Sequence, residues 1–229
     1  MREAIVLAGG LGTRLRPVVK DIPKPMAAVK GRPFLEYILR YLGKNGVERV
    51  ILAVGYKWQK IEEYFGDSFE GIELIYSVEN EPMGTGGAIK KALSLCEEES
   101  FLIVNGDTFF DLSISDFEKS VSDKALLALS LKKMYDFDRY GVVECEKGRV
   151  VAFDEKEWRE SGLINGGVYI ARRDIFEGHS LPKSFSFEEF MQANIEKLAI
   201  ECFESEGFFI DIGIPEDYEI AQSYECFKD

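Results

Sequence analysis

The stretch "LAGGLGTRLRP", Leu7 to Pro17, sets Gly9, Gly10 and Gly12 beside Thr13, Arg14 and Arg16, directly after an apolar run. Glycines let backbone N–H groups come close to an anion, and Thr13 and Arg14 add a hydroxyl donor and a fixed cation. The chemistry this combination suits is phosphate binding. Two familiar phosphate loops do not fit. A Walker loop needs Gly-Lys-Ser/Thr, whereas Gly12 is followed by Thr13-Arg14, and a dinucleotide fingerprint needs a third glycine where Leu15 stands.

The formal net charge is −13, which argues against broad nucleic-acid binding, because that draws its affinity from Lys and Arg on phosphates. A polyanionic ligand must then be held by a few local cations, or by a divalent metal that acidic residues recruit. The single histidine, His179, sits in the turn-like "EGHSLPKS", and one histidine without paired cysteines argues against a His-based triad or a three-histidine zinc centre. Cys96, Cys145, Cys202 and Cys226 form no CxxC pair and are expected to be reduced thiols. No apolar run approaches the roughly 18 residues that span a bilayer, and no basic segment followed by a long hydrophobic stretch opens the chain. A cytoplasmic protein without a membrane partner is expected.

The elements that must position these residues follow from apolar periodicity. Strand-like runs start at Glu3 ("EAIVL"), Arg49 ("RVILAV"), Ile72 ("IELIYSV"), Phe101 ("FLIVN") and Ala125 ("ALLALSL"). Helical stripes lie between them: Phe34, Leu35, Ile38, Leu39 and Leu42; Trp58, Ile61, Tyr64 and Phe65; Ala88, Ile89, Ala92, Leu93 and Leu95. Alternating strand and helix with nearly all-apolar strands predicts an α/β, Rossmann-like, doubly wound and mostly parallel sheet sandwiched by helices. In the second half "GVVEC", "RVVAF", "GGVYIA", "IECFES" and "FFIDI" follow one another, and predict strands that extend the sheet and wall over one end. Helices are expected at Phe187 to Leu198, where Ser186 and Glu189 fit a capping box, and at Pro215 to Tyr224. Nothing marks a linker, so one domain over residues 1–229 is expected.

The loop followed by "PKPM" (Pro23 to Met26) resembles the signature of the sugar-phosphate nucleotidylyltransferases. The likeness continues through "GYK" at Gly55, "EPMGTGGA" from Glu81, "NGDTFFD" from Asn105, "RYGVVE" from Arg139, "FDEK" from Phe153, "INGGVY" from Ile164 and "FIDIGIPEDY" from Phe209. The resemblance implies that fold, with a small β-rich sugar-binding wall, and the joining of a sugar 1-phosphate to the α-phosphorus of a nucleoside triphosphate with loss of pyrophosphate. Within the family it points, through "FFD", "LINGGVY" and "IDIGIPEDY", to use of GTP and D-glycero-α-D-manno-heptose 1-phosphate in the supply of surface-polysaccharide precursors.

The resemblance assigns the triphosphate to the backbone from Gly9 to Thr13, flanked by Leu7 and Gly84, and to the Arg14 side chain. Lys24, stiffened between Pro23 and Pro25, is expected to neutralise charge on the α-phosphate or the departing pyrophosphate. Asp107 follows a strand, and Asp211 stands between Ile210 and Ile212, where an unpaired charge would be expensive; the two are expected to bind Mg2+ together. Asp111 is a rival ligand, ranked lower as the expected cap of a helix beginning near Ser113. Thus Arg14, Lys24, Asp107 and Asp211 are the implied catalytic residues. Lys156 is assigned the sugar phosphate and Glu155 the sugar hydroxyls, although Glu157 stands where the family usually has Pro. Gly141, Asn165 and Gly167 match positions that line the sugar pocket.

Glu79 lies three residues before Pro82, where thymidylyl and uridylyl relatives commonly carry Gln. A carboxylate only accepts hydrogen bonds, which suits the adjacent N1–H and N2–H2 donors of guanine. Mannose 1-phosphate with GTP, glucose 1-phosphate with UTP or dTTP, and a non-catalytic nucleotide-sugar sensor or regulatory subunit are the alternatives. A homodimer is left open.

Overall fold

The computed structural model describes residues 1–10, 15, 21–224 and 227. The loop members Gly12, Thr13 and Arg14, and the thiol Cys226, lie outside the described residues. In chain order the elements are β1 (Glu3–Leu7), a 3-10 turn at Lys24–Met26, β2 (Ala28–Val29), β3 (Arg32–Pro33), α1 (Phe34–Lys44), β4 (Arg49–Val54), α2 (Gln59–Phe65), β5 (Ser68–Phe69), β6 (Ile72–Val78), α3 (Gly84–Ala92), a 3-10 turn at Leu93–Leu95 and β7 (Ser100–Asn105). Then follow β8 (Thr108–Phe110), α4 (Ile114–Ser120), β9 (Leu127–Phe137), β10 (Val143–Glu146), β11 (Arg149–Phe153), β12 (Arg159–Arg172), α5 (Phe187–Ala193), α6 (Ile195–Leu198), β13 (Glu201–Glu204), β14 (Phe209–Asp211) and α7 (Pro215–Ser223).

Ten strands form one mixed sheet in the order β10-β11-β13-β9-β12-β7-β1-β4-β6-β5. β7, β1, β4 and β6 are parallel neighbours, and β13 runs parallel to β9. β12, β11 and β5 run against the rest. The central strands are apolar at consecutive positions because both faces are covered. Successive side chains go to opposite sides: Ala4, Val6, Val50, Leu52, Leu102 and Val104 join one core, and Ile5, Ile51, Ala53, Phe101 and Ile103 join the other. Helices α1, α2, α4 and α7 cover the first face, and α3, α5 and α6 the second.

β1 has β4 on one side and β7 on the other, so the strand order reverses between β1 and β7, and the crevice outside their carboxyl ends is where such sheets bind ligands. Leu7 and Asn105 end those two strands side by side. Gly106 closes the seam: its N–H donates to the Leu7 carbonyl at 3.0 Å, and a Cβ on Gly106 would lie 2.6 Å from that same oxygen.

Several expected elements shift at their ends. The strand "GGVYIA" is the last part of the much longer β12, whose antiparallel ladder with β9 is interrupted between Asn165 and Tyr169. The helix expected from Phe187 to Leu198 breaks at Asn194, and the stripe ending in Leu93 and Leu95 tightens into a 3-10 turn. Tyr64 belongs to the expected apolar stripe of α2 but is exposed, and its hydroxyl donates to the buried Glu36 carboxylate. Asp111 does not cap α4: the Ser113 hydroxyl accepts the Asp116 N–H, since it is Ser113 that sits one residue before the helix.

The Gly106 contact yields a stability test. Gly106→Ala should lower unfolding free energy by about 2 kcal/mol or more, since the clash is with backbone. Gly10→Ala, where an added Cβ meets no atom of the described residues within 4 Å, should leave the denaturation midpoint nearly unchanged.

Candidate active site

A short ribbon separate from the main sheet organises the site. β8 and β14 pair antiparallel with Phe209 opposite Phe110, Ile210 opposite Phe109 and Asp211 opposite Thr108. The Ile212 N–H donates to the Asp107 carbonyl at 3.0 Å, which extends the pairing past Asp211. Two aspartates from opposite halves of the sequence thereby meet at the carboxyl end of β7. Ile210 and Ile212 are buried in the core and lock the register.

Lys24 fills the space between the two acids. Its ammonium lies 2.5 Å from Asp107 Oδ2 and 3.7 Å from Asp211 Oδ1, and its side chain is 9% exposed. Asp107 Oδ1 also accepts the Thr108 hydroxyl, and Asp211 Oδ1 accepts the Gly213 N–H at 2.7 Å. Burial pushes the Asp211 carboxyl above the ordinary range, the charge of Asp107 adds to this, and Lys24 opposes it. The site therefore favours a cation, and an ammonium already sits where one belongs. Among the described residues no cluster of three or more His, Cys, Asp or Glu side chains could hold a metal. A two-carboxylate set leaves most coordination positions to ligand oxygens and water, which suits Mg2+ rather than zinc.

These residues open onto a cleft of about 1080 Å3. On the β1, β4 and β6 side it is lined by Leu7, Gly9, Gly10, Gly55 and Glu79, and at the start of α3 by Gly84 and Thr85. Gly9 and Gly55 pack back to back, and a Cβ on Gly9 would lie 2.7 Å from Glu79 Oε1. Glu79 is half-buried rather than free on the surface. Its Oε2 accepts the Met83 N–H at 3.0 Å just before α3, and burial raises its pKa, partly offset by that bond and by Lys91.

The opposite wall comes from the second half of the chain, with Gly141, Glu155, Lys156 and Asn165 all facing the cleft. Asn165 is fixed at both ends of its amide: Nδ2 donates to the Tyr169 hydroxyl at 2.8 Å, and Oδ1 accepts the Gly167 N–H at 2.9 Å. Gly167 itself is not among the lining residues. It adopts φ 73° and packs behind Asn105, where a Cβ would lie 2.8 Å from the amide nitrogen. The ladder interruption in β12 is thus a support for Asn105 and Asn165. His179 is not among the lining residues either, and packs edge-on against Phe190.

The nucleotidyl transferase family model matches residues 3–226. The chain belongs to the nucleotidyl transferase family. It is 51% identical over 217 residues to the D-glycero-alpha-D-manno-heptose 1-phosphate guanylyltransferase of Campylobacter jejuni, covering 94% of this chain and 96% of that protein. It is 52% identical over 222 residues to the enzyme of the same name from Aneurinibacillus thermoaerophilus, covering 96% of each. Among solved structures, HddC from Yersinia pseudotuberculosis, complexed with GMP-PN, superposes with a TM-score of 0.84 at 38% identity, over 97% of this chain and 98% of that one.

In this nucleotidyl transferase several lining residues escaped the sequence reading: Asn105, Tyr140, Thr85, Arg139, Glu188 and Gln192. Thr85, Asn105, Arg139 and Tyr140 stand inside blocks that carry the resemblance, which is the signal that could have singled them out. Glu188 and Gln192 lie on α5, where helical periodicity reports only the buried face.

Removing the ammonium should expose the strain between the acids. Lys24→Met is expected to cost roughly 2 kcal/mol in urea denaturation, below the roughly 3–5 kcal/mol of a fully buried pair, because solvent reaches Asp107 and Asp211. The double variant Lys24→Met/Asp211→Asn should recover most of that loss.

Proposed function

We propose that this nucleotidyl transferase joins GTP and D-glycero-α-D-manno-heptose 1-phosphate, forming the GDP-sugar and pyrophosphate. The reaction class is supported by family membership together with the paired acids at the end of β7. The choice of GTP and heptose is supported by two relatives of that activity at 51% and 52% identity over nearly the whole chain. The same reading places the enzyme in the cytoplasm, supplying surface-polysaccharide synthesis.

A phosphate oxygen of the sugar attacks the α-phosphorus, and the bond to the β-phosphate oxygen breaks as pyrophosphate leaves. Two anions must meet, so positioning and charge neutralisation carry the catalysis. Gly9 and Gly10, with Gly12, Thr13 and Arg14 beyond the described residues, bind the triphosphate, while Leu7 and Gly84 border it. Lys24 turns its ammonium from the acids to the phosphate chain. Asp107 and Asp211 would hold Mg2+, which supplies positive charge to the phosphate oxygens when bound. Glu155 takes the sugar hydroxyls, Lys156 the sugar phosphate, and Gly141 and Asn165 shape the pocket, with Gly167 acting through Asn105. Glu79, anchored through Oε2, presents its carboxylate to the guanine edge.

The deciding experiment follows pyrophosphate release with GTP, UTP, dTTP, ATP and CTP against heptose, mannose and glucose 1-phosphates. GTP with the heptose 1-phosphate should give the highest kcat/KM. A higher value with mannose 1-phosphate would move the assignment to the activity named for a Mycobacterium tuberculosis relative at 34% identity, of which this chain covers 62%. Asp107→Ala or Asp211→Ala should lower turnover by about 100-fold or more, and unchanged turnover would remove the acids from catalysis.

Glu79 yields a separate test. Its raised pKa means that it loses its charge at a higher pH than an exposed glutamate, which titrates near ~4.3. The KM for GTP should therefore rise as pH falls toward that value from above. Glu79→Gln should remove this acid limb and narrow the preference for GTP over UTP. A pH profile identical in the two proteins would contradict the assignment.

A further inference from the structure

The loop Asp138 to Val142 carries a cation to which the family resemblance assigns no role. Arg139 lines the same cleft as Lys24 and Lys156, and its side chain is 41% exposed. It is held, not free. Nη2 lies 2.6 Å from Asp217 Oδ2 and 3.4 Å from the Tyr140 hydroxyl, and the guanidinium carbon sits 5.3 Å from the Tyr140 ring centre. Both polar contacts use Nη2, and Nη1 and Nε make no bond to any described residue. The fork thus keeps one edge open while Asp217, in the first turn of α7, fixes the other.

The position of the loop is determined by its neighbours. Gly141 packs so closely on the Asp154 carbonyl that a Cβ would lie 2.6 Å from it, and the Asp154 N–H donates to the Val142 carbonyl at 2.8 Å. These contacts join the Arg139 loop to the segment that carries Glu155 and Lys156. On the other side Tyr140 packs edge-on against Phe209 of β14, and Arg139 lies near enough to Asp211 to feel its charge. Arg139 therefore stands between the sugar wall and the paired acids. An approaching sugar 1-phosphate must place its phosphate in that interval to reach the α-phosphorus.

Charge argues the same way. A phosphomonoester carries close to two negative charges near neutrality, as the second pKa is about 6. It has to enter an acidic protein whose Lys24 is already engaged by two carboxylates. Lys156 supplies one positive charge as a point donor. The open edge of a guanidinium matches two phosphate oxygens at once.

We propose that Arg139 is a catalytic residue that binds the phosphate of the sugar 1-phosphate alongside Lys156, and that Asp217 is its positioning residue. This rests on the reaction assigned above. It also accounts for the aspartate of "IPEDY", since Asp217 aims a cation and does not touch the substrate.

The test compares Arg139→Met, Arg139→Lys and Asp217→Asn with the unaltered chain, after circular dichroism melts show that each folds. Arg139→Met should raise the KM for the sugar 1-phosphate by about ten- to a hundredfold and leave the KM for GTP within about twofold. Arg139→Lys should recover part of the loss, and Asp217→Asn should raise the same KM by a smaller factor. Calorimetric titration of the heptose 1-phosphate into protein saturated with a non-hydrolysable GTP analogue supplies a readout that needs no turnover. Affinity should fall by the same factor in Arg139→Met. An active wild type with an unchanged sugar-phosphate KM in Arg139→Met, or a loss confined to the KM for GTP, overturns the role of Arg139 and leaves the proposed reaction standing. If the wild type turns over no NTP and sugar phosphate pair, the proposed reaction fails instead. Titration of the wild type and Arg139→Met with inorganic phosphate, the triphosphate site filled by the same analogue, then still decides whether Arg139 holds an anion.

Discussion

The site depends on one short pairing, the β8–β14 ribbon, which forces the carboxylates of Asp107 and Asp211 into the reach of a single ammonium. Burial and mutual repulsion raise Asp211, and Lys24 counters both. The cost of bringing like charges together is offset by the apolar residues of the ribbon, since Phe109, Phe110, Ile210 and Ile212 are all buried. Hydrophobic register thus holds in place an electrostatic arrangement that would otherwise open.

The rest of the cleft repeats this pattern of a polar or charged group fixed by a partner beside the cleft. Glu79 is tied to the backbone before α3, Arg139 to Asp217, and the amide of Asn165 to Tyr169 and Gly167. A group immobilised in this way needs little reorganisation when a ligand arrives, the condition under which fixed charges and dipoles are most effective in catalysis. The acidic balance of the chain sharpens the requirement. With a net charge of −13, attraction of a triphosphate cannot come from the general field and must come from a few placed cations.

Much of this was legible in the residues. The runs at Glu3, Arg49 and Ile72 coincide with β1, β4 and β6, because a strand covered on both faces is apolar at most of its positions and short turns bound it. The two-sided core and the ligand crevice follow from those strands. The pairing of Asp107 with Asp211 was expected from the resemblance and from the apolar neighbours of Asp211, but its means was not: two three-residue strands carry too little pattern to announce a ribbon. Lys24 was expected to face phosphate, and its engagement by both acids could not be read, since contact across long sequence separation leaves no local mark. Gly167 matched a pocket position, yet its left-handed backbone serves Asn105 from behind. The capping of α4 fell to Ser113, two residues past Asp111, an offset finer than apolar periodicity resolves.

In the proposed reaction the two acids form one cation site, which Lys24 occupies until a nucleotide draws it away. Crystals grown with Mn2+ and a non-hydrolysable GTP analogue test this directly through the anomalous signal of manganese. The expected result is a peak shared by Asp107 and Asp211, with the Lys24 ammonium moved onto the phosphate chain. Manganese bound elsewhere while Lys24 keeps both carboxylates would contradict it.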